Sequence, residues 1–213
     1  MRALIVGAAP RPGSGTFYAA LASAHDLIVA ADAAGETLLN AGVRPDLVVG
    51  DFDSSQPGAA ERLRHAGIRL EMHPERKDVT DLDLAALAAR AQGADAITFT
   101  AAFSHRLDHT LAAFGTMARC ADLAAEAVEP DMHAWVVDSV HRPSVELPVT
   151  KGTTVSVLAL GGRAERVTLT GFEYPLLDAA LEPLSSLGVS NVARGASLRA
   201  EVLGGTVLVI ATF

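Results

Sequence analysis

The chain is predicted to be α/β in its first part, a parallel sheet flanked by helices, with an all-β sandwich after it. Two observations predict this. Short apolar runs alternate with alanine-rich helical stretches through the first half, and that rhythm stops near Glu129-Pro130. Beyond that point strand patterns follow one another with almost no helix between them. Strand–helix repeats build parallel sheets with helices on their faces, and strands alone build sandwiches. The expected domains are therefore residues 1–130, Rossmann-like, and residues 131–213, a small β-sandwich.

The elements follow in order. Residues 3–6 form an apolar run that ends in the loop 7–15; 16–24 reads as a helix and 27–31 as the second strand. Residues 36–41 are helical, with Gly42 as a stop. Strand 46–49, helix 59–66, strand 68–72, helix 82–91, strand 96–100 and a long helix 107–123 complete the alternation. In the second half 134–137, 153–160, 166–170, 198–202 and 206–212 read as strands. Thr153-Thr154-Val155-Ser156-Val157-Leu158 has the period-two alternation of a half-buried antiparallel strand. Gly161-Gly162 and Gly204-Gly205 mark turns.

Composition excludes several classes. With 213 residues, half of them apolar, the chain can bury a real core and is not disordered. A net charge of −8 opposes a nucleic-acid or anionic-membrane surface. The lone Cys120 forms no internal disulfide and no thiolate zinc site. No apolar run approaches a membrane span, and the start enters structure too soon for a signal peptide, so a cytoplasmic protein is expected. No nucleophile elbow, P-loop, dinucleotide glycine pattern or His-Glu-x-x-His spacing is present. The loop 7–15 still offers backbone amides to phosphate, with Arg11 nearby.

What the sequence does contain is acid placed after strands. Asp32 ends the run Leu27-Ile28-Val29-Ala30-Ala31; Gly50-Asp51-Phe52-Asp53-Ser54 follows the third strand; Lys77-Asp78-Val79-Thr80-Asp81 follows the fourth; and Arg106-Leu107-Asp108-His109-Thr110 follows the fifth. In an open parallel sheet the carboxyl ends of the strands share one rim, so these groups should converge on a single crevice. Asp51 and Asp53, two apart in extended chain, should point the same way. Two carboxylates about 4 Å apart repel by about 4 kcal/mol at an effective dielectric near 20, which a divalent ion removes. An ordinary Asp/Ser turn is the competing reading there. Thr80 fits an N-cap with Asp83 as its capping-box partner, and Asp81 and Asp83 suit a helix N-terminus. Arg106 can fork onto phosphate oxygens, and Asp108 can cap the helix, hold Arg106 or meet a ribose or base. His109 is open between a ligand and an ordinary surface or core histidine.

Taken together and in order, these stretches resemble the thiamine pyrophosphokinase (thiamine diphosphokinase) family. The matching text is Arg44-Pro45-Asp46-Leu47-Val48-Val49-Gly50-Asp51-Phe52-Asp53-Ser54, Lys77-Asp78-Val79-Thr80-Asp81 and Arg106-Leu107-Asp108-His109-Thr110-Leu111. Gly171-Phe172-Glu173-Tyr174-Pro175-Leu176 and Gly188-Val189-Ser190-Asn191 match in the second half. The resemblance implies a catalytic nucleotide-binding α/β domain and a thiamine-binding β-sandwich in a homodimer. It implies Mg²⁺-dependent transfer of the diphosphate of ATP to the thiamine hydroxyl, releasing AMP. Asp51, Asp53 and Asp81 would gather Mg²⁺, with Asp32 and Asp78 close by; Asp32, Asp53, Asp78 and Asp81 form the catalytic group, with Asp81 favoured as proton acceptor. Asp51, Thr80, Arg106, Asp108 and His109 would address ATP. Tyr174 would stack on thiamine, with Ser190 and Asn191 helping to hold it, reaching the partner subunit's crevice.

Two stretches depart from the family's pattern. Asp32-Ala33-Ala34-Gly35-Glu36 stands where Asp-Gly-Gly-Ala-Asn is common, and Ser104-His105 where Gly-Gly is common. Side chains added at such positions restrict close backbone approach to a ligand. His105 would, in exchange, offer a phosphate a donor. The alternatives are the same reaction on another hydroxymethyl heterocycle such as a pterin, or a non-catalytic nucleotide- or thiamine-binding protein.

Overall fold

Ala3, Leu4, Ile5 and Val6 are wholly buried, so this strand has protein on both faces and its main chain must pair on both sides. The computed structural model describes residues 1–9, 13–53, 55–195 and 197–213. It comprises two units, Met1–Thr116 and Met117–Phe213.

The first unit alternates strand and helix. Its strands are β1 (Arg2–Val6), β2 (Leu27–Ala31), β3 (Leu47–Gly50), β4 (Arg69–Met72) and β5 (Ala96–Thr100). They lie side by side in the order β5-β1-β2-β3-β4, and each pair is parallel. Between them run α1 (Gly15–Ser23), α2 (Ala34–Asn40), α3 (Ala59–His65) and α4 (Asp81–Ala91), and α5 (Leu107–Arg119) follows β5. On one face Leu4, Val6, Ala30 and Val48 pack with Tyr18, Leu38 and Leu63 from α1, α2 and α3. α4 packs across β1, β2 and β3, with Ala85, Ala86, Ala88 and Ala89 buried. Alanine at those positions removes side-chain bulk, so the helix axis can approach the sheet closely.

In the second unit the described strands pair antiparallel. Five strands run in the order β12 (Asn191–Val192), β9 (Thr154–Ala159), β14 (Thr206–Thr212), β7 (Met132–Asp138) and β6 (Glu126–Glu129). Four more run β11 (Leu176–Leu181), β10 (Ala164–Thr170), β13 (Arg199–Glu201) and β8 (Ser144–Glu146). One apolar cluster fills the space between the sheets, with Val155, Val157, Val207 and Val209 facing Val167, Leu169, Leu198 and Ala200. The parallel sheet followed by a sandwich is the predicted fold class.

The boundary differs from the one expected at residue 130. β6 pairs with β7 in antiparallel register, from Glu126 opposite Trp135 to Glu129 opposite Met132, so residues before Pro130 already belong to the second unit. The long helix is also shorter than predicted. α5 stops at Arg119, a 3₁₀ turn spans Ala121–Leu123, and Ala124 takes a left-handed conformation at φ 48°. Of the described strands, β6, β8, β11 and β12 were not predicted.

Gly7 shows why the end of β1 tolerates no side chain. Its amide donates to the Thr100 carbonyl at 2.8 Å, and a Cβ there would stand 2.4 Å from the Ala101 carbonyl oxygen. Gly7→Ala is expected to cost about 1–3 kcal/mol through this overlap, seen as a lowered urea midpoint with an unchanged slope.

Candidate functional site

The strand order defines where ligands meet this sheet. From β1 the chain steps outward through β2 and β3 to β4, then α4 carries it back to β5 on the other side of β1. The direction of winding therefore reverses between β1 and β5, and crevices at such switch points are where open α/β sheets bind ligands. A cavity of about 560 Å³ lies there. Gly7, Ala8 and Ala9 line it after β1, Asp32 after β2, Asp51 and Asp53 after β3, Thr80 and Asp81 at the start of α4, and Ala101 and Ala102 after β5.

Backbone conformation aims these side chains. Asp32, Phe52 and Ala101 are all left-handed, at φ 47°, 64° and 49°, a conformation costing about 1–2 kcal/mol for a non-glycine residue. The Asp32 amide donates to the Val49 carbonyl at 2.8 Å, fixing this turn onto β3. Phe52 packs its ring against the α1–α3 side core, which offsets the cost of its backbone. This corrects the reading of Asp51 and Asp53 as neighbours along an extended strand. β3 ends at Gly50, and the left-handed Phe52 turns the chain so that the Asp53 amide donates to Asp51 Oδ1 at 3.2 Å. The carboxylates still meet, through a turn. Ser54 of that segment and Arg11 of the loop after β1 lie outside the described residues.

Carboxylate oxygens of Asp32, Asp51 and Asp53 all lie within 4.8 Å of one another. Ser55 Oγ donates to Asp32 Oδ1 at 3.1 Å. The expected metal set was Asp51, Asp53 and Asp81; the oxygens that cluster come from Asp32 instead of Asp81. Lys77 stands between Asp51 and Asp81. Its ammonium hydrogen-bonds to Asp51 Oδ2 and stands 3.0 Å from Asp81 Oδ1. Asp81 Oδ1 is buried without a hydrogen-bond partner, since Lys77 approaches it outside hydrogen-bonding geometry. Lys77 is the site residue that sequence reasoning passed over, although it stands in the quoted motif four residues before Asp81.

Proton affinities follow this arrangement. Burial pushes the Asp81 carboxyl upward, reinforced by the like charges of Asp51 and Asp32, against the pull of Lys77. Asp51 feels burial most strongly too, but the Lys77 ammonium and the Asp53 amide together draw it below the usual carboxylate range. Lys77 is itself raised, because its two carboxylates outweigh its burial. Two neighbouring aspartates are thus driven in opposite directions.

The other predicted residues spread more widely. Thr80 caps α4 in a reciprocal box: its hydroxyl oxygen accepts the Asp83 amide at 3.2 Å, and Asp83 Oδ2 accepts the Thr80 amide at 3.2 Å. Asp83 Oδ1 also accepts from Thr116 Oγ1 at 2.7 Å, so Asp83 is structural. Arg106 and His109 line the cavity, whereas Asp108 and Asp78 are exposed and do not. Asp108 instead grips Arg106, Oδ2 to Nη2 at 2.6 Å and Oδ1 to Nε at 3.3 Å. Of the departures from the family pattern, Ala34 turns its methyl into the core, and neither Ala33 nor Ala34 lines the cavity. Ser104 and His105 do line it.

Tyr174, Ser190 and Asn191 belong to the second unit. Tyr174 is 65% exposed. Asn191 is only 4% exposed; its Oδ1 accepts the amides of Tyr174 at 3.0 Å and Val192 at 2.9 Å, and its Nδ2 donates to the Tyr174 carbonyl at 2.7 Å. The amide expected to face a ligand is therefore engaged in holding the main chain of Tyr174. Ser190 is exposed and left-handed at φ 57°, with its amide on Ser156 Oγ at 3.1 Å. Just before it, Gly188 lies so close to β9 that a Cβ would stand 2.1 Å from the Val157 carbonyl oxygen.

A switch-point cavity walled with aspartates, in a chain that continues as a β-sandwich, defines a two-domain α/β-plus-β protein. Residues 18–128 match the family described as thiamin pyrophosphokinase, catalytic domain, and residues 141–201 match thiamin pyrophosphokinase, vitamin B1 binding domain. The thiamine pyrophosphokinase of Bacillus subtilis is 30% identical over 174 residues, 78% of each chain. The crystal structure of thiamin pyrophosphokinase from Geobacillus thermodenitrificans superposes with a TM-score of 0.83 at 28% identity, covering 100% of this chain and 98% of that one. The Candida albicans enzyme shares the fold at 15% identity, with a TM-score of 0.81 over 100% of this chain and 89% of that one. The chain belongs to the thiamine pyrophosphokinase family.

Asp83→Ala should remove one half of the α4 cap and lower stability by about 1 kcal/mol, measured as a fall in thermal midpoint. Asp83→Asn, which keeps an acceptor for the Thr80 amide, should recover most of that loss.

Proposed function

We propose that the chain transfers the diphosphate of ATP to the hydroxyl of thiamine, giving thiamine diphosphate and AMP. The observation that carries this reading is the meeting of Asp32, Asp51 and Asp53 within 4.8 Å in the switch-point cavity, in a chain of this family. Carboxylate oxygens so grouped fit a hard divalent cation, and the buried Asp81 Oδ1 without a hydrogen-bond partner supplies a further acceptor beside them. Bound there, Mg²⁺ would neutralise charge on the polyphosphate.

The remaining work falls to the chain's own residues. Arg106, fixed by Asp108, presents its guanidinium at the cavity for a phosphate oxygen. Residues after β1 and β5 line the same space. The reaction breaks the bridge between the α- and β-phosphorus atoms, forms a bond from the thiamine oxygen to the β-phosphorus, and releases one proton. Asp81 suits the proton best, because burial has already raised its affinity for one. Tyr174 offers an exposed aromatic face to the cationic heterocycle, and in a homodimer it would serve the partner subunit's cavity. Among the described residues no helix is long and apolar enough to cross a membrane.

AMP release from ATP and Mg²⁺ should require thiamine. Release only with another alcohol, such as a hydroxymethyl pterin, would transfer the activity to that acceptor, a reading favoured by Ser104 and His105 lining the cavity. Tight binding of thiamine with no AMP would leave a binding protein. Asp53→Ala should cut turnover at least ~10²-fold, as loss of electrostatic stabilisation at a reacting phosphate does, with an unchanged circular dichroism spectrum. Mixing Tyr174→Ala and Asp53→Ala subunits should restore part of the activity if sites are shared; no recovery after proven subunit exchange would contradict sharing.

A further inference from the structure

We infer that Lys77 is a resident counter-ion that keeps a bare divalent cation out of the carboxylate cluster until a polyphosphate accompanies it. The inference rests on the metal-dependent reading above and adds to it an order of binding and a residue that imposes it. Among the described residues five carboxylates line the cavity, from Asp32, Asp51, Asp53, Glu75 and Asp81, against the cations of Lys77 and Arg106. Arg106 is exposed and engaged by Asp108. Lys77 is different: its side chain is 13% exposed, it hydrogen-bonds to a carboxylate that is itself 10% exposed, and it stands 3.0 Å from a second. It is a cation placed between two of the acids.

An ammonium in that place competes with a metal for the same Asp51 carboxylate. A divalent ion taking Asp51 would either displace Nζ, leaving it only Asp81, or sit within a few ångströms of it, and both are unfavourable until another anion reaches Lys77. A triphosphate changes the balance, because it brings several negative charges of its own. The four-carbon stem of lysine lets Nζ leave Asp51 for a phosphate oxygen without moving the backbone, which frees Asp51 for the ion. Metal and nucleotide should then bind with positive coupling through Lys77, and linkage makes that coupling equal in both directions.

The test is Mn²⁺ binding without turnover, followed by the paramagnetic resonance signal of the free ion. Lys77→Gln and Lys77→Met should bind Mn²⁺ alone about 10-fold more tightly than the natural protein, within the usual range of such couplings. Lys77→Arg, which keeps the charge, should bind it as weakly as the natural protein does. A non-hydrolysable ATP analogue should tighten Mn²⁺ binding to the natural protein and much less to Lys77→Gln. If Lys77→Gln does not fold alone, recovery of its fold by millimolar Mn²⁺ would support the role, and failure to recover would count against it. Mn²⁺ affinity in Lys77→Gln equal to or below that of the natural protein would overturn the inference. AMP release by the natural protein reads the diphosphotransferase assignment separately, so either can fail while the other stands.

Discussion

Repulsion among carboxylates on a single rim is the constraint to which the first unit answers. Asp32, Asp51 and Asp53 come within 4.8 Å, with Asp81 beside them. Each pair at such spacing is unfavourable by several kcal/mol at an effective dielectric near 20. The fold holds them there by elements that have other reasons to exist. β1, β2 and β3 are largely buried on both faces, the crossovers put every strand end on one edge, and α4 is packed by alanines across these three strands. Lys77 then offsets part of the charge directly.

The same unit concentrates its backbone strain at this edge. Asp32, Phe52 and Ala101 each follow a strand and each adopt a left-handed conformation, and apolar packing elsewhere sustains them, most plainly through the Phe52 ring. Strain gathered at strand ends beside a cavity is the pattern expected of a pre-organised site. It also explains why alternation along a strand is a poor guide just beyond the strand's last residue.

Much of this was legible in the sequence, and the exceptions have physical causes. β2, β5 and β14 match their predicted spans because buried apolar runs leave little choice of conformation. β11 was hidden: Asp178 is left-handed within it, and its pairing with β10 shifts register twice. β6 reads Glu-Ala-Val-Glu, with little β-branched content to mark it. At the site, the convergence of the acidic segments could be foreseen because parallel topology alone dictates it. The membership of the tight carboxylate group could not. It depends on side-chain reach across separate loops, which has no period in sequence. Thr80 and Asp83 sat at the opposite extreme, since a capping box is a local spacing and the structure has it.

The buried amide of Asn191 has a consequence for recognition. It ties both main-chain polar groups of Tyr174 from within the protein, while the ring itself stands in solvent. An aromatic mounted on an anchored segment is already ordered before anything docks on it, so a planar guest would lose its own freedom and very little of the host's. A floppy loop carrying the same tyrosine would present identical chemistry and bind more weakly.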